Sequence, residues 1–226
     1  MKRAVCLLSG GMDSAVSTAE ALHAGFEVHA LSFDYGQRHS VELEAARRVA
    51  AHLRVRDHRI VKLDLRAIGG SALTSAIEVP KDRSEEAIGA SVPVTYVPAR
   101  NLIFLSFALA LAETIQAHTI YLGVNAIDYS GYPDCRQEFL DAFERVAEKA
   151  TAAGAERGVH FSIAAPLVQL DKRGIVLRAR ELGVDLGLTH TCYDPVQHRA
   201  CGRCDACRLR LKGFEQAGLI DPVEYL

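Results

Sequence analysis

The sequence has no excess of positive charge. Its 26 Lys and Arg stand against 28 Asp and Glu, a formal charge of −2 over 226 residues. A protein that holds a polynucleotide neutralises phosphates with basic side chains, so this balance argues against nucleic acid as the partner and leaves only a local basic patch. There is also no apolar run long enough to span a bilayer, which argues against a membrane partner. Met1-Lys2-Arg3 leads straight into a strand-like segment, without the hydrophobic stretch and small-residue cleavage site of a secretory signal, so the expected location is cytoplasmic. Neither an internal repeat nor a low-complexity segment occurs. Six cysteines, three of them crowded together, make a poor disulfide framework in a chain of this size, and a cytosolic metal site is the better expectation. What remains, 49% apolar and 24% charged residues, fits one globular domain with a full core and room for a small carboxy-terminal module.

Apolar spacing sets the order of elements. Ala4-Val5-Cys6-Leu7-Leu8 is a continuous apolar run of strand length, and from Asp13 the spacing changes to Ala15, Val16, Ala19 and Leu22, which predicts a helix ending at Gly25. Residues 27–33 predict a second strand, 40–54 a helix and 58–63 a third strand. That alternation predicts an α/β fold, an open and mostly parallel sheet with helices on both faces. Residues 66–99, with Gly69-Gly70, Pro80, Pro93 and Pro98, predict a long irregular insertion of the kind that more often serves function than packing. A helix apolar almost all round, from Asn101 to Gln116, is expected to be central. Thr119–Val124 predicts a fourth strand, residues 137–153 a helix and 160–164 a further strand. Asp171 suits the cap of a helix to Leu182, and a short helix closes the chain.

The turn between the first strand and helix, Ser9-Gly10-Gly11-Met12-Asp13-Ser14, carries the first chemistry. Glycines there allow close backbone approach, and the amides opening a helix suit a bound anion. No Lys-Ser/Thr pair follows them, so this is not the common nucleoside-triphosphatase loop, nor do the glycines have the dinucleotide spacing. A turn needed only for helix–sheet packing is the bland alternative. The motif resembles the loop of the ATP pyrophosphatase, or PP-loop, superfamily, whose members cleave ATP between the α and β phosphates and transfer AMP to a substrate oxygen. In that role Ser9, Gly10, Gly11 and Ser14 would donate hydrogens to the departing pyrophosphate. Asp13, repulsive beside phosphates, would hold Mg²⁺ or cap the helix. The end of the second strand, Ser32-Phe33-Asp34-Tyr35, belongs on the carboxyl edge of such a sheet, near the adenosine.

Cys192, Cys201, Cys204 and Cys207 carry the second. Four thiolates suit a tetrahedral zinc ion in a structural role. An iron–sulfur cluster also takes four cysteines, although the usual fourth Cys-Pro is missing, and free or redox thiols are the third option. His190 and His198 are expected to be exposed polar residues rather than ligands. Cys6 is expected to be a small core residue. Cys135, beside Arg136 in a polar loop, is either a plain loop cysteine or a thiol of lowered pKa.

Longer segments sharpen the resemblance. Leu31-Ser-Phe-Asp-Tyr-Gly-Gln-Arg-His39, Tyr96-Val-Pro-Ala-Arg-Asn-Leu102, Gly123-Val-Asn-Ala-Ile-Asp-Tyr-Ser-Gly-Tyr-Pro-Asp-Cys-Arg136 and Cys201-Gly-Arg-Cys-Asp-Ala-Cys-Arg208 resemble the family of 7-cyano-7-deazaguanine synthases of the queuosine pathway. The likeness spans nearly the whole chain. One departure is His190, where many members carry tryptophan.

The resemblance implies a ligase that turns 7-carboxy-7-deazaguanine and ammonia into the nitrile with ATP and Mg²⁺, holding one structural Zn²⁺ per chain, in a homodimer. It implies residues 1–188 as the adenylating domain and 189–226 as the four-cysteine module. ATP would lie along Leu8, Ser9, Gly10, Gly11, Met12, Asp13, Ser14, Ala15, Val16, Ser17 and Thr18, with Ser32 and Asp34. Catalytic roles fall to Asp13, Arg100, Asp128 and Lys172. Substrate contacts fall to Tyr35, Gln37, Asn101, Tyr129, Tyr132 and Asp134, whose acceptors and rings suit a guanine-like base. Each has a plain reading too: a helix cap for Asn101, a turn former for Asp134, a solvated lysine for Lys172. Rival readings are a transfer-RNA sulfur or lysine ligase, an amidating ligase of the NAD or GMP synthase kind, and a zinc-containing nucleotide-binding module without catalysis.

Overall fold

The computed structural model describes residues 1–226 apart from 38–39, 85, 87, 89–91 and 127–131. Among the described residues, five parallel strands form one sheet in the order β3-β2-β1-β4-β5. They are β1 (Arg3–Leu7), β2 (Glu27–Asp34), β3 (Asp57–Lys62), β4 (Thr119–Tyr121) and β5 (Ser162–Ala164). The helices are α1 (Met12–His23), α2 (Val41–His52), α3 (Arg100–Ile115), α4 (Gln137–Ala150), α5 (Ala152–Arg157), α6 (Lys172–Glu181) and α7 (Asp205–Gln216). Two of the expected strands are shorter than their apolar runs.

The continuous apolar runs are explained by burial on both faces of the sheet. Val5 and Leu7 of β1 pack into one core with Leu105 and Leu109 of α3 and with Leu140 and Phe143 of α4. Ala4 and Cys6 turn the other way, toward Ala21 of α1 and Val28. On that second face Met12, Val16, Ala46, Val49, Ile175 and Phe214 join α1, α2, α6 and α7 into one core. Burial pushes the Cys6 thiol upward in pKa, as expected of a small core residue.

Two helices differ from their expected form. α3 is not central all round: Leu102 (44%) and Phe107 (39%) are exposed, while Leu105, Ala108 and Ala112 are fully buried. The sheet covers only one side of α3, with Phe104 stacked on Phe33 of β2 at 3.9 Å. The helix expected over 137–153 is two helices, because Thr151 is extended and caps α5 by accepting from Gly154 N at 2.9 Å.

Strand order fixes the place of the site. From β1 the chain moves to β2 and β3 on one side, while β4 and β5 lie on the other, so β1 and β4 flank a topological switch point. Ligands collect at the carboxyl ends of strands beside such a point. The Gly-Gly turn follows β1 there, and Gly123 follows β4 so closely that a Cβ on it would lie 2.9 Å from Ser14 Cα.

Candidate active site and cysteine cluster

Side chains within the turn hold it in shape. Ser14 Oγ donates to Gly11 O at 2.9 Å and accepts from Ser9 N at 3.1 Å, and the two serine hydroxyls lie 3.0 Å apart. Gly11 N donates to Ser9 Oγ at 3.3 Å, and no side chain caps the start of α1. That leaves a helix terminus with positive partial charge facing a cavity, a natural anion site. Gly10 has a φ of +90°, and a Cβ there would stand 2.1 Å from Glu42 O and 2.7 Å from Ala46 N. Gly10→Ala should therefore lower stability by at least about 3 kcal/mol, left-handed strain adding to a backbone overlap that α2 cannot relieve. Denaturant unfolding measures it; a loss under about 1 kcal/mol would mean that the turn is not fixed against α2.

Asp13 stands one residue into α1. Its Oδ2 accepts from Lys172 Nζ at 2.6 Å and from Asn125 Nδ2 at 3.3 Å. Asp171 caps α6 by accepting from Gly174 N at 2.7 Å, and this places Lys172 against the turn. Asp13 Oδ1 is buried with no hydrogen-bond partner among the described residues. A buried carboxylate oxygen without a donor fits a hard cation held against phosphate.

The cavity beside the turn is lined by Ser9, Gly11, Asp13 and Ser14, by Ser32, Tyr35 and Gln37 from the end of β2, by Arg100 and Asn101 of α3, and by Tyr132. Ser32 Oγ donates to Leu8 O and is hydrogen-bonded to His58 Nε2 at 2.7 Å, which ties β1 to β2 and β3. Gln37 folds back on its own turn, its Oε1 accepting from Tyr35 N at 2.8 Å. Burial pushes the Tyr35 phenol up to about 12.

Other sequence-expected residues lie apart from the cavity wall. Met12, Ala15 and Val16 are core residues of α1. Ser17 Oγ donates to Leu122 O at 3.2 Å and Thr18 Oγ1 to Ser14 O at 2.7 Å. Asp34 sits half-buried at the end of β2. The Asp134 carboxylate caps α3, accepting from Asn101 N at 3.0 Å, while Asn101 Nδ2 donates to Asp134 O and to Cys135 Sγ. The expected contacts Asp128 and Tyr129 lie outside the described residues.

Several lining residues escaped the sequence reading. Glu42, in the first turn of α2, faces the cavity, and burial pushes its carboxyl up to about 7, with Arg100 pulling the other way. His190, expected to be exposed, is 4% exposed. Its backbone N–H donates to Gly10 O at 2.8 Å, so the segment before Cys192 is pinned to the turn. His198 is exposed, as expected. Thr191 and Tyr193 line the same cavity on either side of Cys192.

The four cysteines meet. Cys192, Cys201, Cys204 and Cys207 are all buried, with their sulfurs within 4.8 Å of one another. The Cys201 and Cys207 sulfurs are 3.9 Å apart, close to the ~3.8 Å edge of a tetrahedral zinc–thiolate site. Backbone amides of Asp194 and Cys201 donate to Cys192 Sγ, and those of Arg203 and Cys204 to Cys201 Sγ, which stabilises thiolates. Hydrogen bonds from Cys192 and then Cys207 hold the Cys204 thiol well below its ordinary pKa.

The irregular insertion is strapped over this cluster. Lys81 pairs with Asp194 at 2.8 Å, Asp82 with Arg203, and Arg83 with Asp205 at 2.8 Å. Beneath it, buried Arg210 grips Asp221 through two nitrogens and bonds Thr189 and Thr191.

A parallel sheet with a glycine-serine turn at its switch point, opening on a cavity beside a half-buried carboxylate, defines an α/β protein with an anion-binding turn at its ligand edge. Its fold is similar to that of NMN synthetase from Francisella tularensis, with a TM-score of 0.52 and 17% identity over 97% of this chain and 78% of that one. The model of the family described as "Queuosine biosynthesis protein QueC" matches residues 3–218, and the chain belongs to that family of biosynthetic enzymes. It is 59% identical to the "7-cyano-7-deazaguanine synthase" of Myxococcus xanthus over 226 residues, covering 100% of this chain and 98% of the relative. It is equally similar to the protein of the same name from Paramagnetospirillum magneticum, covering 99% of that relative. Among the described residues no helix is long and apolar enough to cross a membrane.

Proposed function

We propose that the chain converts 7-carboxy-7-deazaguanine and ammonia into 7-cyano-7-deazaguanine, labelling the acid with AMP from ATP and passing through the amide. The observation that carries this reading is the uncapped start of α1, with Ser9, Gly11 and Ser14 lining the cavity that also holds Arg100 and the Tyr35 and Tyr132 rings. A carboxylate is a poor electrophile at neutral pH because oxide must leave. Adenylation replaces that leaving group with AMP, and the amide oxygen is activated in the same way by a second ATP. One site serves both rounds, since each presents an oxygen on the same carbon to the same α-phosphate.

The residues divide the work. Amides and hydroxyls of Ser9, Gly10, Gly11 and Ser14 receive the charge that gathers on departing pyrophosphate. Lys172 lies 2.6 Å from Asp13 and neutralises it at the edge of the turn. Ser32 and Asp34 lie at the end of β2, where the nucleoside binds. Arg100 takes the substrate carboxylate, while Tyr35, Gln37, Asn101 and Tyr132 shape the base pocket. Asp128, Tyr129 and Asp134 complete the proposed set, Asp134 through its hold on α3. Asp13 Oδ1 is the atom that would hold Mg²⁺, which supplies charge neutralisation for the phosphates.

The four thiolates suit Zn²⁺, which closes a structural site with every position filled by protein. Residues 1–188 form the adenylating domain and 189–226 the cysteine module in this reading. A cytoplasmic homodimer completes it, and exposed Leu102 and Phe107 on α3 supply an apolar face for a second copy.

Mass spectrometry of products after incubation with ATP, ammonium and the deazaguanine acid tests the reading. The nitrile, AMP and pyrophosphate are expected, with the amide as a transient species. ATP binding without turnover would favour the nucleotide-binding module instead.

A further inference from the structure

Nitrile formation strips nitrogen of hydrogen. Ammonia carries three N–H bonds and the nitrile none, so three protons must go to a base while AMP carries off oxygen. We propose that the Glu42 carboxylate is the group that accepts them, an inference that rests on the function proposed above. In the first transfer the nitrogen forms its bond to the carboxyl carbon, the C–O bond to AMP breaks with its electron pair, and one proton passes to Glu42. In the second round the amide oxygen bonds to the α-phosphorus of ATP, pyrophosphate leaves, and one proton is lost from nitrogen. Breaking of the second C–O bond releases AMP and the last proton. Glu42 returns each proton to water between steps, and no oxidant or reductant is consumed.

Placement comes first. The Glu42 backbone is set against the phosphate turn, as the 2.1 Å that would separate Glu42 O from a Cβ on Gly10 shows. Its side chain then faces the cavity shared by the turn, Tyr35 and Arg100. Among the described residues nothing pairs with its carboxylate within salt-bridge distance, in contrast to Asp13, which Lys172 engages at 2.6 Å. The partial burial that raises its pKa to about 7 lets it take and release protons near neutrality.

The other titratable groups around the cavity are less suited. Tyr35, pushed up to about 12, keeps its proton, and the Arg100 cation is a donor only. Cys135 Sγ accepts from Asn101 Nδ2 at 3.2 Å. Tyr132, Tyr193 and His190 lie on the side formed by the polar loop and the cysteine module.

Glu42→Gln separates this role from a structural one, because adenylation of a carboxylate releases no proton. Acid-dependent exchange of pyrophosphate into ATP, measured without ammonia, should stay within about threefold of the parent, whereas nitrile formation should fall about 10²- to 10³-fold. With free ammonia held constant across the series, the parent's rate should rise with pH through about 7, and the variant's residual rate should lack that limb. Folding is checked by melting. A carboxyl raised from 4.5 to about 7 makes the parent lose stability as pH climbs through that window, so the variant should melt at or above the parent at pH 8. Equal losses in exchange and nitrile formation, or an unchanged pH limb in the variant, would overturn the role of Glu42 alone. No acid-dependent exchange in the parent would overturn the proposed function and this inference together.

Discussion

If the four cysteines hold a metal as proposed, Cys204→Ser should fail to retain it and melt about 10 °C or more below the parent, a loss of more than about 4 kcal/mol, because a closed metal site contributes directly to folding. The effect is expected to reach the active site. Cys192 is flanked by Thr191 and Tyr193, both on the cavity wall, and His190 N is bound to Gly10 O at 2.8 Å. Releasing Cys192 therefore frees one wall of the cavity and one support of the phosphate turn. The strap from Lys81 to Arg83, anchored on Asp194, Arg203 and Asp205, should loosen with it. Metal analysis and thermal melting on one preparation check this, with Cys135→Ser as a control that keeps its metal. A Cys204→Ser protein that stays metal-loaded and equally heat-resistant would show that another residue completes the site.

Asp13→Asn should reduce nitrile formation about 10³-fold while the protein stays folded. The amide keeps the shape of the carboxylate and can still accept from Lys172 and Asn125, so the loss falls on charge. Oδ1 is the buried oxygen without a donor, and an amide in its place holds a divalent cation poorly. The variant should also need far more magnesium for its residual turnover. Activity and magnesium dependence close to the parent's would mean that Asp13 only pairs with Lys172.

Much of this was legible in the sequence, for identifiable reasons. A five-residue apolar run followed by two glycines and a helical period could only be a buried strand turning into a helix, and Gly10 with φ +90° sits where that turn needs it. The four cysteines could be grouped because their spacing is local, with Cys201 and Cys204 just before α7 and Cys207 in its first turn. What stayed hidden is contributed by segments distant in sequence. Glu42 reads as one polar residue of an amphipathic helix, and only the contact of α2 with Gly10 turns it toward the cavity. Asn125 and His190 meet the turn across the switch point and from the cysteine module, and no periodicity encodes that. The exposed face of α3 was missed because hydrophobicity alone does not say how many sides of a helix the chain covers. The break at Thr151 was missed because a threonine reads equally well inside a helix and at its cap.

Oxygen tracing tests the central claim most directly. With ¹⁸O in both carboxylate positions of the deazaguanine acid, one labelled oxygen should appear in AMP for each round, two AMP per nitrile formed, and none in pyrophosphate. Label appearing in pyrophosphate or water, with AMP unlabelled, would contradict adenylation as the step on which this chain's phosphate turn acts.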